Sequence, residues 1–244
     1  MMTDADEAVL FDSPATIERR GLRDHVYERI LQLLLSGDVA PGARLSIDTI
    51  ARELRVSPTP VREALVQLER TGLVTREALK GYRVAPPLGA DQLAELFDAR
   101  IMLETTAARL ATPADADFLA ELSAALEDHR ASGERVIASI NAGEDNATLA
   151  FATEYFAKDA GFHRVVFAHC GNHYIQEMSD SLGGQLHRMR QSVLHGITDV
   201  NEAVAEHTAI LEAFAGDDPD APEAAMRRHI EGVGARSLDI ELHS

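Results

Sequence analysis

Residues 45–68 read LSIDTIARELRVSPTPVREALVQL, and the fold follows from how this stretch divides. Ile47, Ile50, Ala51 and Leu54 recur at helical spacing behind Ser46, a residue type suited to capping a helix start. Val56 fills a tight turn. Ser57 then stands before a second helix running to about Thr71, with Pro58 and Pro60 in its first turn, where a missing amide hydrogen costs little. Ala51 and Leu54 face Val61, Ala64, Leu65 and Leu68, which leaves Ser57, Thr59 and Arg62 pointing outward. A helix presented in this way can enter a major groove with its N-terminal residues against base edges. Arg62 suits guanine or phosphate, and the Ser57 and Thr59 hydroxyls suit phosphate beside the helix N-terminus. Periodicity alone fits an ordinary helical hairpin with a stray arginine equally well.

The flanking sequence completes a small domain. Leu22, Val26, Ile30, Leu33 and Leu34 predict a helix from about Leu22 to Ser36, ended by Gly37 and followed by a Pro41-Gly42 turn. Leu73 to Thr75 and Tyr82 to Ala85 are β-type runs around Lys80-Gly81, which predicts a hairpin whose tip, Lys80 and Gly81, reaches the minor groove or backbone. Pro86-Pro87 stops regular structure and places a linker at 86–90. Residues 1–18 read as a flexible acidic tail, and 19–86 as a winged helix-turn-helix domain. The overall charge of −17 divides unevenly: −5 over residues 1–18, +4 over 19–84 and −16 over 85–244. A basic segment on an acidic body is the asymmetry expected where only one part meets phosphate.

Residues 91–240 read as an antiparallel α-helical bundle, so the chain is mainly α. Helices are predicted at 91–111, 114–132, 145–169, 172–195, 199–215 and 222–240, with one break at Ser132-Gly133. No run is long and apolar enough to cross a bilayer. The first eighteen residues carry five acids and no bases, unlike a secretory signal. The single cysteine, Cys170, fits a reducing compartment. The expected setting is cytoplasmic, with no membrane partner.

Most of the ten histidines need no special role. Asp159 and His163, four apart, share a helix face, while His207 lies on a later helix and His229 on the next. Read alone, these are surface residues on amphipathic helices. Were they to converge inside the bundle, three imidazoles and a carboxylate would suit a divalent ion: zinc or nickel first, manganese third. His169 and His173 fall at a helix junction, and His187 and His195 lie outside the chosen set. Arg100 offers a two-pronged match to an effector carboxylate, with Glu104 beside it as either a further effector contact or a competing i,i+4 ion-pair partner. Arg190 is a third candidate for the same cavity.

Residues 22–86 resemble the N-terminal domain of GntR-type transcription regulators. The resemblance rests on Pro41-Gly42 with Leu45, VSPTPVREAL at 56–65, Glu69 to Val74, and Gly81-Tyr82-Arg83-Val84. It implies a homodimer binding an inverted-repeat DNA operator. Many members have arginine where Pro58 stands, and some where Asp48 stands, so operator sequence does not carry over. Residues from about 91 to 240 resemble the FCD effector domain of the FadR-like branch, through Phe97 to Arg100 with Leu103-Glu104, Asp159 through Phe162-His163, and Glu206-His207 with Met226 to His229. The resemblance implies metal ligation by Asp159, His163, His207 and His229 and a small organic-acid effector.

The expected function is a ligand-responsive DNA-binding regulator, a repressor released by a carboxylate metabolite, and not an enzyme. Two alternatives stand beside it. A metalloenzyme hydrolase would need a base next to metal-bound water. The chain has no His-Glu-x-x-His motif, and Glu206 points about 100° away from its neighbour His207. A direct metal sensor has the same ligand set.

Overall fold

The computed structural model describes residues 15–35, 39–77, 81–143, 145–193 and 199–243. The elements in chain order are α1 (Ala15–Leu35), β1 (Arg44–Leu45), α2 (Ile47–Leu54), α3 (Pro58–Arg70), β2 (Val74–Glu77), β3 (Gly81–Val84), α4 (Ala90–Leu110), α5 (Ala116–Ala142), α6 (Asp145–His169), α7 (His173–Val193), α8 (Val200–Ala215) and α9 (Ala221–His243). α1 begins seven residues before the expected start, so the last part of the expected tail, from Ala15, is helical. No residue between Ala15 and Gly21 breaks a helix, and an interior glycine costs only about 1 kcal/mol.

Val26, Ile30 and Leu34 of α1 are buried with Ile50, Ala51, Val61, Ala64, Leu65 and Leu68, forming one apolar core under the helix-turn-helix. Ser46 Oγ accepts from the Thr49 amide at 3.3 Å and starts α2. α2 ends at Arg55, whose backbone adopts a left-handed conformation (φ 55°, ψ 42°) while its N–H donates to the Ala51 and Arg52 carbonyls. The wing is a three-stranded antiparallel sheet in the order β1-β3-β2. β1 was not expected: two residues are too short to show alternation, and pairing of Leu45 with Tyr82 creates the strand.

The six helices α4 to α9 enclose a second core around Phe97, Phe118, Leu122, Phe162, Ile210, Met226 and Ile230. α5 corrects an expectation. It runs unbroken through Ser132-Gly133 to Ala142 and stops at Gly143, which is left-handed at φ 69°. Gly133 serves close approach here: a Cβ there would lie 2.6 Å from Val200 Cγ1 and 3.4 Å from Tyr155. Asp115 caps α5 by accepting from the Phe118 amide at 2.8 Å.

The two cores meet at α7. A Cβ on Gly184 would fall 1.5 Å from the Thr71 carbonyl oxygen, so α7 lies directly on the end of α3. One turn on, the buried Arg188 guanidinium donates to the Pro86 carbonyl, Nη2 at 2.6 Å and Nε at 3.2 Å, and Nη1 donates to Gln185 at 3.0 Å. Burial lowers the Arg188 pKa.

Candidate nucleic-acid interface and metal centre

The front of α3 is open. Ser57, Thr59 and Arg62 are exposed, whereas Pro60, Val61, Ala64 and Leu65 are buried beneath them. Ser57 occupies the N-cap position with extended backbone, but its hydroxyl makes no capping hydrogen bond. The exposed hydroxyl is therefore free to meet an anion, beside the Thr59 amide, the one N–H among the first three residues of α3 because Pro58 and Pro60 have none. Gly81, at φ 87°, begins β3 and is exposed. Lys80 lies outside the described residues.

The second site is closed. Asp159, His163, His207 and His229 gather with one ligand atom each, all within 4.8 Å of one another. Helical spacing puts Asp159 and His163 on the inner face of α6, and α8 and α9 contribute one imidazole apiece. The three Nε2 atoms form a near-equilateral triangle: 3.3 Å from His207 to His163, 3.1 Å from His207 to His229 and 3.3 Å from His229 to His163. Asp159 Oδ1 stands 3.7 Å from His207 Nε2 and 3.8 Å from His163 Nε2. Phe162 is stacked on His207, with centroids 4.1 Å apart and planes at 9°.

The opposite ring nitrogens of His229 and His163 each meet a carboxylate, and that of His207 meets an imidazole. His229 Nδ1 is 2.8 Å from Glu206 Oε2. His163 Nδ1 is 2.5 Å from Glu104 Oε2. His207 Nδ1 is 3.0 Å from His129 Nδ1. A carboxylate on Nδ1 holds the proton there and turns the Nε2 lone pair inward, the arrangement of imidazoles that ligate metal. Nitrogens about 2.1 Å from one ion lie about 3.0 Å apart at right angles and about 3.4 Å apart in a tetrahedron. The observed edges fall between these values, so the residues fit a divalent cation.

Burial sets the electrostatics. His207 is held well below 6.5, first by burial and then by His229 and His163, and burial also lowers His229. Burial alone would raise Glu104, but the Arg100 guanidinium and His163 outweigh it and hold the carboxyl at about 2. Glu206 is likewise at about 2, where His229 and Arg236 overcome the effect of burial. Arg236 clamps Glu206 through Nη1 at 2.8 Å and Nη2 at 2.9 Å, and reaches Asp199 through Nε at 2.8 Å.

A cavity of about 40 Å³ adjoins the cluster and is lined by Arg100, Asp159, His229, Met189 and Ser237, among others. Arg100 and Glu104 form the competing ion pair, Nε to Oε1 at 2.8 Å, with both side chains buried. That contact uses only Nε of a group with five donors, so the pairing and a place on the cavity wall coexist. The Arg190 side chain lies outside the described residues. A larger open groove of about 460 Å³ between α5 and α8 includes Arg130, Glu134 and Thr208 and none of the four clustered residues.

The residues behind the cluster were not read from the sequence, apart from Glu104. His129 carried a signal: it lies on the apolar stripe of α5 with Leu122, Leu126, Gly133 and Val136, and is fully buried. Glu206 was judged only as a base for His207. The turn of about 100° that directs it away from the cluster aims it at His229 on α9.

A winged helix-turn-helix joined to a helical body with a buried cluster of histidines and carboxylates defines the class of the protein. Comparison with known proteins agrees. Residues 22–84 match the bacterial regulatory proteins of the gntR family, and residues 95–232 match the FCD domain. The chain belongs to the GntR family of transcription regulators, in the group that carries an FCD domain. A Streptomyces ambofaciens protein described as an uncharacterized HTH-type transcriptional regulator in an unstable DNA locus is 30% identical over 231 residues, 91% of this chain and 87% of its own. The HTH-type transcriptional repressor GlaR of Escherichia coli (strain K12) is 26% identical over 207 residues, 81% of this chain and 87% of its own. The solved structure of E. coli McbR/YncC shares the fold, with a TM-score of 0.69 at 22% identity, covering 89% of this chain and 97% of that one.

Proposed function

We propose that this regulator is a repressor whose two DNA heads, in a homodimer, grip an inverted-repeat operator and let go when a small carboxylate metabolite enters the cavity beside a metal centre. The observation that carries this reading is the position of the Arg100 guanidinium on the wall of a cavity that also contains Asp159 and His229. A cation held by Asp159, His163, His207 and His229 would present open positions to an anionic oxygen, and Arg100 would bind the carboxylate. Zinc or nickel suits three imidazoles best, with manganese as a third choice.

Ser57, Thr59 and Arg62 would contact phosphate and base edges, with the wing at Lys80 and Gly81 reaching the backbone. Helix α7 supplies a route between the sites, because Met189 lines the cavity while Arg188 holds the linker carbonyl of Pro86 and Gly184 lies on the end of α3. An effector acts only through a difference in affinity between two arrangements, and α7 is the element whose position both sites share. Exposed apolar side chains on adjacent helices, Met102 on α4 and Tyr174 and Met178 on α7, support a homodimer. GlaR bears the name repressor. No described helix is long and apolar enough to cross a membrane, and a cytoplasmic setting follows from access to DNA. The acid next to His207 that a hydrolase would draw on, Glu206, is committed to His229 and Arg236, which speaks against the hydrolase alternative.

Genomic footprinting with the purified protein identifies the operator. Separate titrations of metal and of small organic acids against that operator should then show release by an acid only when metal is bound. Release by metal alone would instead make the ion itself the signal, and release by neither would overturn the reading.

A further inference from the structure

Arg55 carries an observation that the fold does not account for. Among the described residues it is the one non-glycine residue with positive φ. Left-handed backbone forces an L side chain against its own carbonyl, and glycine escapes that contact. The turn between α2 and α3 needs this conformation, because the Arg55 N–H closes α2 onto the Ala51 and Arg52 carbonyls. Only the backbone is used there. The side chain does nothing for the turn that glycine would not do with less strain.

Nor does the side chain contribute to packing or to an ion pair. Arg55 is exposed, and no hydrogen bond or acid partner engages its guanidinium among the described residues. In the helical body Arg109 lies 3.7 Å from Glu223, Arg130 3.6 Å from Glu127 and Arg135 2.7 Å from Glu154, while Arg164 and Arg228 are exposed without an acid partner among the described residues; none of these five stands at a left-handed backbone position. Arg55 stands two residues before Ser57, at the end of α3 that carries the uncapped Ser57 hydroxyl. Arg52, three residues earlier and also exposed, is likewise without an acid partner among the described residues. A strained position that keeps a long cation in place of glycine is a reason to look for a ligand of that cation.

We propose that Arg55 is a phosphate-contacting residue of the DNA interface, anchoring the duplex backbone beside the entry of α3. This rests on the DNA-binding reading given above. The contact is made from a turn and not from the groove-facing surface of α3, so it positions the protein without reading bases. Its loss should weaken binding to every sequence alike.

The test uses the full chain, a random-sequence 30-base-pair duplex as probe, and binding followed by anisotropy across a salt series. Arg55→Gly should weaken binding several-fold at low salt and reduce the slope of log affinity against log salt by about 1. Its melting temperature should not fall and should rise by up to about 4 °C, as relief of strain outweighs the added freedom of the unfolded chain. Arg55→Lys should keep the slope, because it keeps the charge. An unchanged slope for Arg55→Gly, with the wild type binding normally, overturns the assignment and leaves the DNA-binding reading intact. A wild-type chain that binds no duplex overturns both.

Discussion

The exposed arginines around α2 and α3 and the buried or half-buried arginines of the helical body are the same side chain put to different uses. Arg44, Arg52, Arg55, Arg62 and Arg70 are exposed and have no acid within ion-pair distance among the described residues. In the interior of the body, Arg100 is tied to Glu104, Arg236 to Glu206 and Asp199 and Arg188 to the Pro86 carbonyl, whereas Arg164 and Arg228 on its surface have no acid partner among the described residues. An unpaired guanidinium keeps its full attraction for an incoming phosphate. A paired one has that attraction already satisfied and serves instead to orient other groups. The comparison separates a surface that waits for a polyanion from an interior whose charges hold two of the three imidazoles, His163 and His229, in place.

The comparison breaks most visibly at the buried end. His207→Ala removes a fully buried imidazole from the triangle. Metal affinity measured by calorimetry should fall by more than about 100-fold, beyond the loss typical of an outer partner, while salt-dependent binding to random duplex stays as in the wild type. Glu206→Gln sharpens the point, since the amide cannot hold both Arg236 and His229 Nδ1 as a carboxylate does. Metal affinity should drop about 10–100-fold with the four ligands intact; an unchanged affinity would mean that the carboxylate only braces α8 against α9.

Proton linkage gives an effect of intermediate size. His207 and His229 have folded-state pKa values below 6.5, so between those values and 6.5 the unfolded chain binds more protons than the folded one. The stability this linkage supplies is present above 6.5 and is lost as pH falls below it. For metal-free protein, the melting temperature should therefore decline on going from about pH 7.5 to 5.5. Glu104 and Glu206, at about 2 in the folded chain, add a further loss only below their ordinary value of 4.5. A flat profile from neutral to mildly acidic pH would contradict the burial of the histidines. The smallest effect is expected at Arg135. Its pair with Glu154 is 44% exposed on each side, so Arg135→Ala should cost less than about 1 kcal/mol in a denaturant titration.

Much of this arrangement is legible in the sequence, and the parts that are not share a cause. The α2-turn-α3 unit follows from Ser46, Val56, Ser57 and two prolines, whose local chemistry acts within a few residues. Asp159 and His163 are legible together because four residues is one helical turn. What binds His229 from behind is not, because Glu206 and Arg236 become neighbours only when α8 packs on α9. Gly133 misled for the same reason: its meaning depends on Val200, far along the chain. His129 shows the intermediate case, where an imidazole on an apolar stripe announces burial but not its partner.

The account rests most directly on the exposed start of α3, and Arg62→Ala tests it. With the footprinted operator as probe, the variant should bind about 10–100-fold more weakly than the wild type, with its melting temperature and metal content unchanged. Operator binding as tight as the wild type's, at the same salt, would contradict the claim that this helix reads DNA.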